Sequence, residues 1–428
     1  MKQFNCFLKQ KPTRLLIEKE GFLGGEKMKP AKKLILSLSF CLLTQTEQSF
    51  AQPTQAVTIV PVADLILEKM KTVYPEKKVA HSYESISLES KTLKARSCAR
   101  AHQLIFNEQV TVICQEGDEA LVEVPNCFYL SSGKKRNRYW THKTNLQTLS
   151  KKLDPKKTPT PIQFCTKKTE QKSQTIITLL LPFYDKKNKR IFSAGTRFVQ
   201  APGHSNQKLS VWALNKRATA YDLLNIPKAI CFKEKPLSKE KKRNLFVQLL
   251  KTWAHRQPKQ FIPYVWGGCS FTRPYERKMI YAAKNQENEK IIWQKKELKI
   301  ATGLDCSGTI LRATQIFNIP YFCKNSISAK QHLKKVKNYN ELKNGDLLYI
   351  RGHIMIVSDK KKNKLIEARS HYSGYGKLQE KNISQIFKGT KTYQQLIALC
   401  NANKPLARID SVGKIDKVAV GTFLKLPV

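Results

Sequence analysis

A thiol, an imidazole and a carboxylate, far apart along the chain, have the types and settings needed to act together on an amide. Cys306 stands in GLDCSGTILRA, residues 303–313, between an aspartate and a serine and with glycines on either side. Ile310, Ala313 and Phe317 follow it at spacings of four, three and four, which places the thiol in the first turn of a helix that Pro320 stops. Asp305 has the side-chain oxygen of a helix cap. A thiol at that position meets the positive end of the helix dipole, which favours thiolate and lowers a reference pKa of about 8.5.

A nucleophilic thiol also needs a base. Residues 344–370, NGDLLYIRGHIMIVSDKKKNKLIEARS, begin as a strand that is apolar on both faces and is interrupted by Gly352 and His353. Asp359 to Lys364 make a polar turn, and the chain returns with one carboxylate, Glu367, in an apolar setting. An antiparallel pair brings Glu367 beside His353, where it can hold the imidazole tautomer that accepts the Cys306 proton. His371, in the following Ser-Gly-Tyr-Gly loop, competes for the orienting role, with Glu367 better placed. Taken singly, a buried cysteine is usually a small hydrophobe and a buried histidine a satisfied core residue; the three together point to a thiol hydrolase. The cysteines form no CxxC pair and the histidines no HExxH helix, so no metal and no cofactor is expected.

The elements that must position these groups form an α+β chain with several units. From about 76 to 150 the chain carries short β-rich runs, such as QVTVICQEGDEALVEV (109–124), with no helical period, and predicts a small all-β barrel. Residues 151–162, rich in lysine and proline, are a linker. A second β-rich block spans 163–232. In NLFVQLLKTWAHR, Leu245, Leu249, Leu250 and Trp253 fall at helical spacing and open a third domain over 240–400, leaving 401–428 as a C-terminal extension.

Three segments in the third domain, PYVWGG (263–268), GLDCSG (303–308) and LKNGDLLYIRGHIMIVSD (342–359), resemble the NlpC-type cell-wall cysteine peptidases, which have a papain-like core. The first β block, which ends in Tyr139, Trp140 and His142, resembles a bacterial SH3-like domain, and the second is a candidate for another. The resemblance implies Cys306 as nucleophile, His353 as base and Glu367 at the third polar position. It implies Tyr264 as a substrate or oxyanion contact, Asp305 and Ser307 as receivers of the free amino terminus of a stem peptide, and Ser328 as a further substrate contact. The implied reaction is hydrolysis of the γ-D-glutamyl to diamino-acid bond of peptidoglycan. Two departures stand out. The third position is usually histidine, so Glu367 is closer to CHAP-type amidases, and a charged, partly helical insertion with Trp293 spans 269–302, where it can rim the cleft.

Composition sets the partner and the compartment. With 77 basic and 32 acidic residues the formal charge is +45, which calls for a polyanionic partner. Nucleic acid is disfavoured, since no recognition motif or aromatic–basic platform accompanies the charge; an anionic cell envelope and its stem peptides fit better. Residues 28–51, with a basic start, an apolar run from Leu34 to Leu43 and Ser49 and Ala51 before Gln52, read as a secretory signal peptide, and residues 1–27 as an upstream over-extension. The run is too short to span a bilayer, which takes about 20 residues, so no membrane span is expected after its removal and the product belongs in the periplasm or cell wall. Removing residues 1–51 leaves nine of the 11 cysteines, an odd number that fits one free Cys306 with disulfides among the other eight. A catalytically inactive basic wall-binding protein and a CHAP-like amidase are the alternative readings.

Overall fold

The strands around His353 are apolar on both faces because helices cover both faces. In the computed structural model the third unit is built on a six-stranded antiparallel sheet, in the spatial order Lys377–Asn382, Lys364–Arg369, His353–Asp359, Leu347–Ile350, Ile415–Leu424, Pro405–Ile409. Side chains alternate across a strand. Leu347, Tyr349, Ile354, Ile356, Ile366 and Ala368 therefore share one core with the Cys306–Ile316 helix, while Leu348, Ile350, Met355, Val357 and Leu365 join the core of the Tyr393–Asn401 helix. The structure describes residues 53–73, 99–131, 133–149, 153–162, 174–215, 218–255, 260–272, 302–370, 373 and 375–428, and the backbone of 275–276, 280–285 and 288–293. The leader region, His371, Cys98 and Cys165 lie outside the described residues.

The helix expected from Leu245, Leu249, Leu250 and Trp253 spans Lys239–Ala254, capped by the Ser238 hydroxyl, which accepts the Lys241 N–H at 3.2 Å. It buries Phe246, Leu249, Leu250 and Trp253. Pro320 follows the end of the Cys306–Ile316 helix, where a residue without an N–H cannot continue the ladder.

Ahead of this unit lie two antiparallel sheets. The first has seven strands, ordered Arg100–Ile105, Val62–Ile66, Arg138–His142, Glu119–Glu123, Gln109–Glu116, Thr54–Thr58, Leu146–Thr148. It starts earlier than the expected boundary at 76, because Thr54–Thr58 fills the place between Gln109–Glu116 and Leu146–Thr148. The second has five strands, ordered Tyr221–Pro227, Lys208–Leu214, Arg197–His204, Ile176–Leu179, Cys231–Lys233. Residues 50–428 form one compact unit. Arg312 on the Cys306 helix is fully buried and donates to Glu108 at 2.6 Å and to the Gln103 carbonyl at 3.3 Å, both in the first β unit.

Three expectations are corrected. Residues 401–428 are not an appendage: Ile415–Leu424 pairs with Leu347–Ile350, Leu347 opposite Leu424, and so forms an inner strand of the site's own sheet. The pairing joins segments more than 70 residues apart in the chain, which local pattern does not reveal. The insertion is not partly helical where described: Ile280–Asn285 and Asn288–Trp293 form an antiparallel hairpin, in keeping with their β-branched and aromatic content. Disulfides are absent among the described cysteines, since Cys114, Cys127, Cys231, Cys269, Cys306, Cys323 and Cys400 are all free.

Candidate active site

Cys306 opens its helix, as its spacing predicts. Asp305 is the N-cap; its Oδ1 accepts the Gly308 N–H and, at 3.0 Å, the Ser307 hydroxyl. Its Oδ2 accepts from the buried Lys324 Nζ at 2.7 Å. The helix start rests on the 263–268 segment, with the Asp305 N–H donating to Gly268 O at 3.1 Å and the Leu304 N–H to Pro263 O at 3.0 Å. This approach requires glycine: a Cβ on Gly308 would lie 2.0 Å from the Gly268 oxygen, and one on Gly268 2.5 Å from the Gly303 oxygen. The two glycine-bearing motifs are thus the two sides of one contact, whose product is a fixed position for the thiol.

The strand side is equally constrained. Val357 is opposite Leu365 in the antiparallel pair, so His353 and Glu367, each an even number of residues away, project from the same face. His353 Nε2 and Glu367 Oε2 lie 2.9 Å apart, both side chains buried. The other carboxylate oxygen accepts from Gln379 Nε2 at 3.2 Å, across from it on the next strand, and lies 3.6 Å from Arg369 Nη1. The Ile354 backbone amide, one residue past His353, is close enough to the Cys306 thiol to favour its charged form, so the helix start and the strand start meet at one corner.

Electrostatics define the resting state. Burial pushes the Cys306 thiol up to about 12, with Asp305 adding to the effect and the Ile354 amide, Lys324 and the Ser307 amide opposing it. Desolvation of the charged form therefore outweighs the dipole, and the lowered thiol pKa expected from the helix start is overturned for the resting protein. Burial also lowers His353, while its hydrogen bond to Glu367 works the other way. Burial alone would raise the Glu367 carboxyl, but the His353 hydrogen bond and the Arg369 charge outweigh it and hold it at about 2. Glu367 is accordingly ionised at neutral pH, which makes Nε2 the protonated nitrogen of His353. Nδ1 is left as the proton acceptor and makes no hydrogen bond among the described residues.

The remaining expected site residues fall into two groups. Tyr264 lies beside the turn that leads into Cys306, bridged through its backbone to Leu304, and its N–H donates to Gly376 O at 2.8 Å. Ser307 and Asp305 are committed to the helix start and to Lys324. A substrate amine would have to displace a buried ammonium to gain Asp305 Oδ2. Ser328 is fully buried, giving its proton to Asn325 Oδ1 and accepting the Leu130 N–H at 3.1 Å, so its hydroxyl joins the first β unit to the third. Lys324 and Gln379 were not singled out by sequence reasoning. Gln379 carried one signal, a polar residue directly opposite Glu367, but only in a register that the sequence leaves open. Among the described residues no cluster of three His, Cys, Asp or Glu side chains is placed to hold a metal ion.

No protein-family model matches the chain, and no curated protein matches it in sequence. Among solved structures it is similar to an NlpC/P60 family protein from Bacillus cereus ATCC 10987, at 12% identity and a TM-score of 0.50, over 88% of this chain and 100% of that one. The likeness is one of fold. Two Trichomonas vaginalis structures, NlpC1 and NlpC2, align at 12% identity each with TM-scores of 0.31, covering 85% and 78% of this chain and 94% and 95% of theirs. The α+β architecture deduced from the sequence thus matches that of an NlpC/P60 protein along nearly the whole of both chains.

Proposed function

We propose that this chain is a cysteine endopeptidase of peptidoglycan stem peptides, with Cys306 as nucleophile, His353 as general base and acid and Glu367 as its orienter. The observation that carries the reading is the 2.9 Å His353–Glu367 pair set one residue from the amide that meets the Cys306 thiol. In the resting protein the thiol and imidazole are both neutral. Attack then requires the thiol proton to pass to His353 Nδ1 as the sulfur approaches the carbonyl, so that thiolate and imidazolium form together and stabilise one another. The Cys306 backbone N–H, at the helix start without a partner inside the helix, is the donor for the developing oxyanion. His353 next protonates the leaving amine, and water releases the acyl group from Cys306.

The bond we assign is γ-D-glutamyl to diamino acid. Tyr264 would contact substrate or oxyanion, and Asp305 with Ser307 would hold the nucleophile turn in place. The first β unit lies close to this turn: Phe128 bridges Cys323 in parallel, and the Lys324 N–H donates to Phe128 O at 2.9 Å. A β unit docked there favours short stem peptides over intact wall as substrate. We read the two sheets as SH3-like modules around a papain-like core, and the +45 charge as holding an exported protein to the anionic envelope of the periplasm or wall. The carboxylate at the third position keeps a CHAP-like amidase as the second reading.

The test is mass spectrometry of products after residues 52–428, and a Cys306→Ala control, meet an L-Ala-γ-D-Glu-diaminopimelate peptide or whole peptidoglycan. Release of L-Ala-γ-D-Glu by the wild type alone is expected. Cleavage at the sugar–peptide amide instead would select the amidase, and salt-sensitive wall binding without cleavage would select an inactive scaffold.

A further inference from the structure

The turn that leads into His353 carries positive charge with no acidic partner. Ile350 pairs with His353, so Arg351 and Gly352 are the two residues of the turn, and both are exposed. The Ile415–Leu424 strand lies along Leu347–Ile350 with Gly421 opposite Ile350. Lys417, four residues before Gly421, therefore extends past the end of its neighbour and reaches the turn. Its ammonium donates to the Arg351 carbonyl and lies 3.5 Å from where a Cβ on Gly352 would sit. Such a side chain places a charge on the turn that leads into His353.

The nearby carboxylates are already committed. Asp416 accepts from Arg408 Nε and Nη2 at 3.0 Å each and from Arg369 Nη2 at 2.7 Å, while Glu367 holds His353. Neither Lys417 nor Arg351 has an ion-pair partner among the described residues. Four cations, Arg351, Arg369, Arg408 and Lys417, thus face two carboxylates, Glu367 and Asp416, at this corner. Burial and the Arg408 charge lower the Lys417 ammonium from its ordinary value, while Asp416 and the Cys306 position work the other way, so Lys417 and Cys306 share one field.

In the mechanism above, His353 hands its proton to the leaving amine. The residue that carries that amine must then rest against His353 and its turn. We propose that Lys417, with Arg351, forms a subsite for a free carboxylate on the leaving residue, selecting stem peptides that end at their diamino acid. The inference rests on the reading of Cys306 and His353 as a peptidase centre and adds the substrate class. A peptide ending at the diamino acid has that carboxylate free; in a longer stem the same carboxyl is an amide and offers no charge.

Two substrates distinguish these cases: L-Ala-γ-D-Glu-diaminopimelate with its α-carboxylate free, and the same peptide with an α-carboxamide. The wild type should favour the free acid by about tenfold in kcat/KM, the worth of one charge-assisted hydrogen bond, and the ratio should shrink as salt rises. Lys417→Met should bring the ratio toward one, chiefly through KM, and Lys417→Arg should restore it. Equal kcat/KM for the two substrates in the wild type, or a Lys417→Met variant that slows both by the same factor, overturns the subsite while leaving the peptidase standing. If the wild type cleaves neither peptide, the peptidase reading fails and the subsite falls with it.

Discussion

Two buried acid–base pairs flank Cys306, and they differ in which member can change charge. On the helix side Asp305 meets Lys324 at 2.7 Å; on the strand side Glu367 meets His353 at 2.9 Å. A lysine paired with a carboxylate stays charged: burial works against the Lys324 ammonium, but Asp305 more than restores it and raises its pKa above the ordinary value. A histidine in the same situation keeps the ability to gain or lose its proton: burial lowers it from its ordinary value and Glu367 only partly offsets that. The first pair can fix geometry at constant charge, while the second can move a proton. Exchanging their roles would leave the thiol either without a base or without a fixed position.

The contrast breaks most visibly at the reacting groups. Cys306→Ala and His353→Ala should each reduce kcat by about 10⁶, as removal of one member of a cooperating set does; steady-state hydrolysis of the tripeptide reads this, and substantial residual turnover by His353→Ala would exclude it as the base. Lys324→Met acts on the other pair. It leaves the Asp305 carboxylate buried without its cation, and a loss of about 3–5 kcal/mol in denaturant unfolding is expected. A smaller change than Cys306→Ala produces in the same experiment would show that the helix-side pair is not structural.

Glu367→Gln keeps the shape and removes the charge. We expect kcat to fall by about 10² or more, and the acid limb of kcat/KM to move to lower pH, since the carboxylate is what opposes the burial-driven lowering of His353. An acid limb that stays in place would mean that another group titrates there.

The smallest effect is on stability in acid. His353 is lowered from 6.5 in the folded chain, so below that pH the unfolded chain binds the extra proton and stability falls. Glu367, held at about 2 against an ordinary 4.5, adds stability that is present above 4.5 and lost as the pH drops toward 2. Both act in the same direction, so denaturation midpoints should decline on acidification, beginning just below pH 6.5. His353→Gln should remove the upper part of that decline and shrink the lower part, because His353 is itself a cause of the Glu367 lowering; a curve that keeps the upper part would place the linkage elsewhere.

Much of the local structure around Cys306, His353 and Glu367 was legible in the chain. The helix start at Cys306, its Asp305 cap and its end before Pro320 follow from spacing and side-chain type, because a helix is specified by groups within one or two turns of each other. The antiparallel return that carries Glu367 to His353 is local too, with one polar turn between the strands. What fell outside were partners brought in from a distance. Lys324, Gln379 and Lys417 reach the site from three separate elements, and each depends on a strand register or a packing angle that no neighbouring residue dictates.

The sequence by itself determined which groups could react, where each sits in its own helix or strand, and that strands apolar on both faces must be covered twice. Only the tertiary structure decided that residues 401–428 belong to the site's sheet, that Ser328 is committed to the contact with the first β unit, and that the resting thiol is neutral. The physical reason is the same in each case. Periodicity and capping are short-range and written in consecutive residues, whereas desolvation and charge surplus are sums over everything that packs around a group, and those neighbours are known only once the chain has closed on itself.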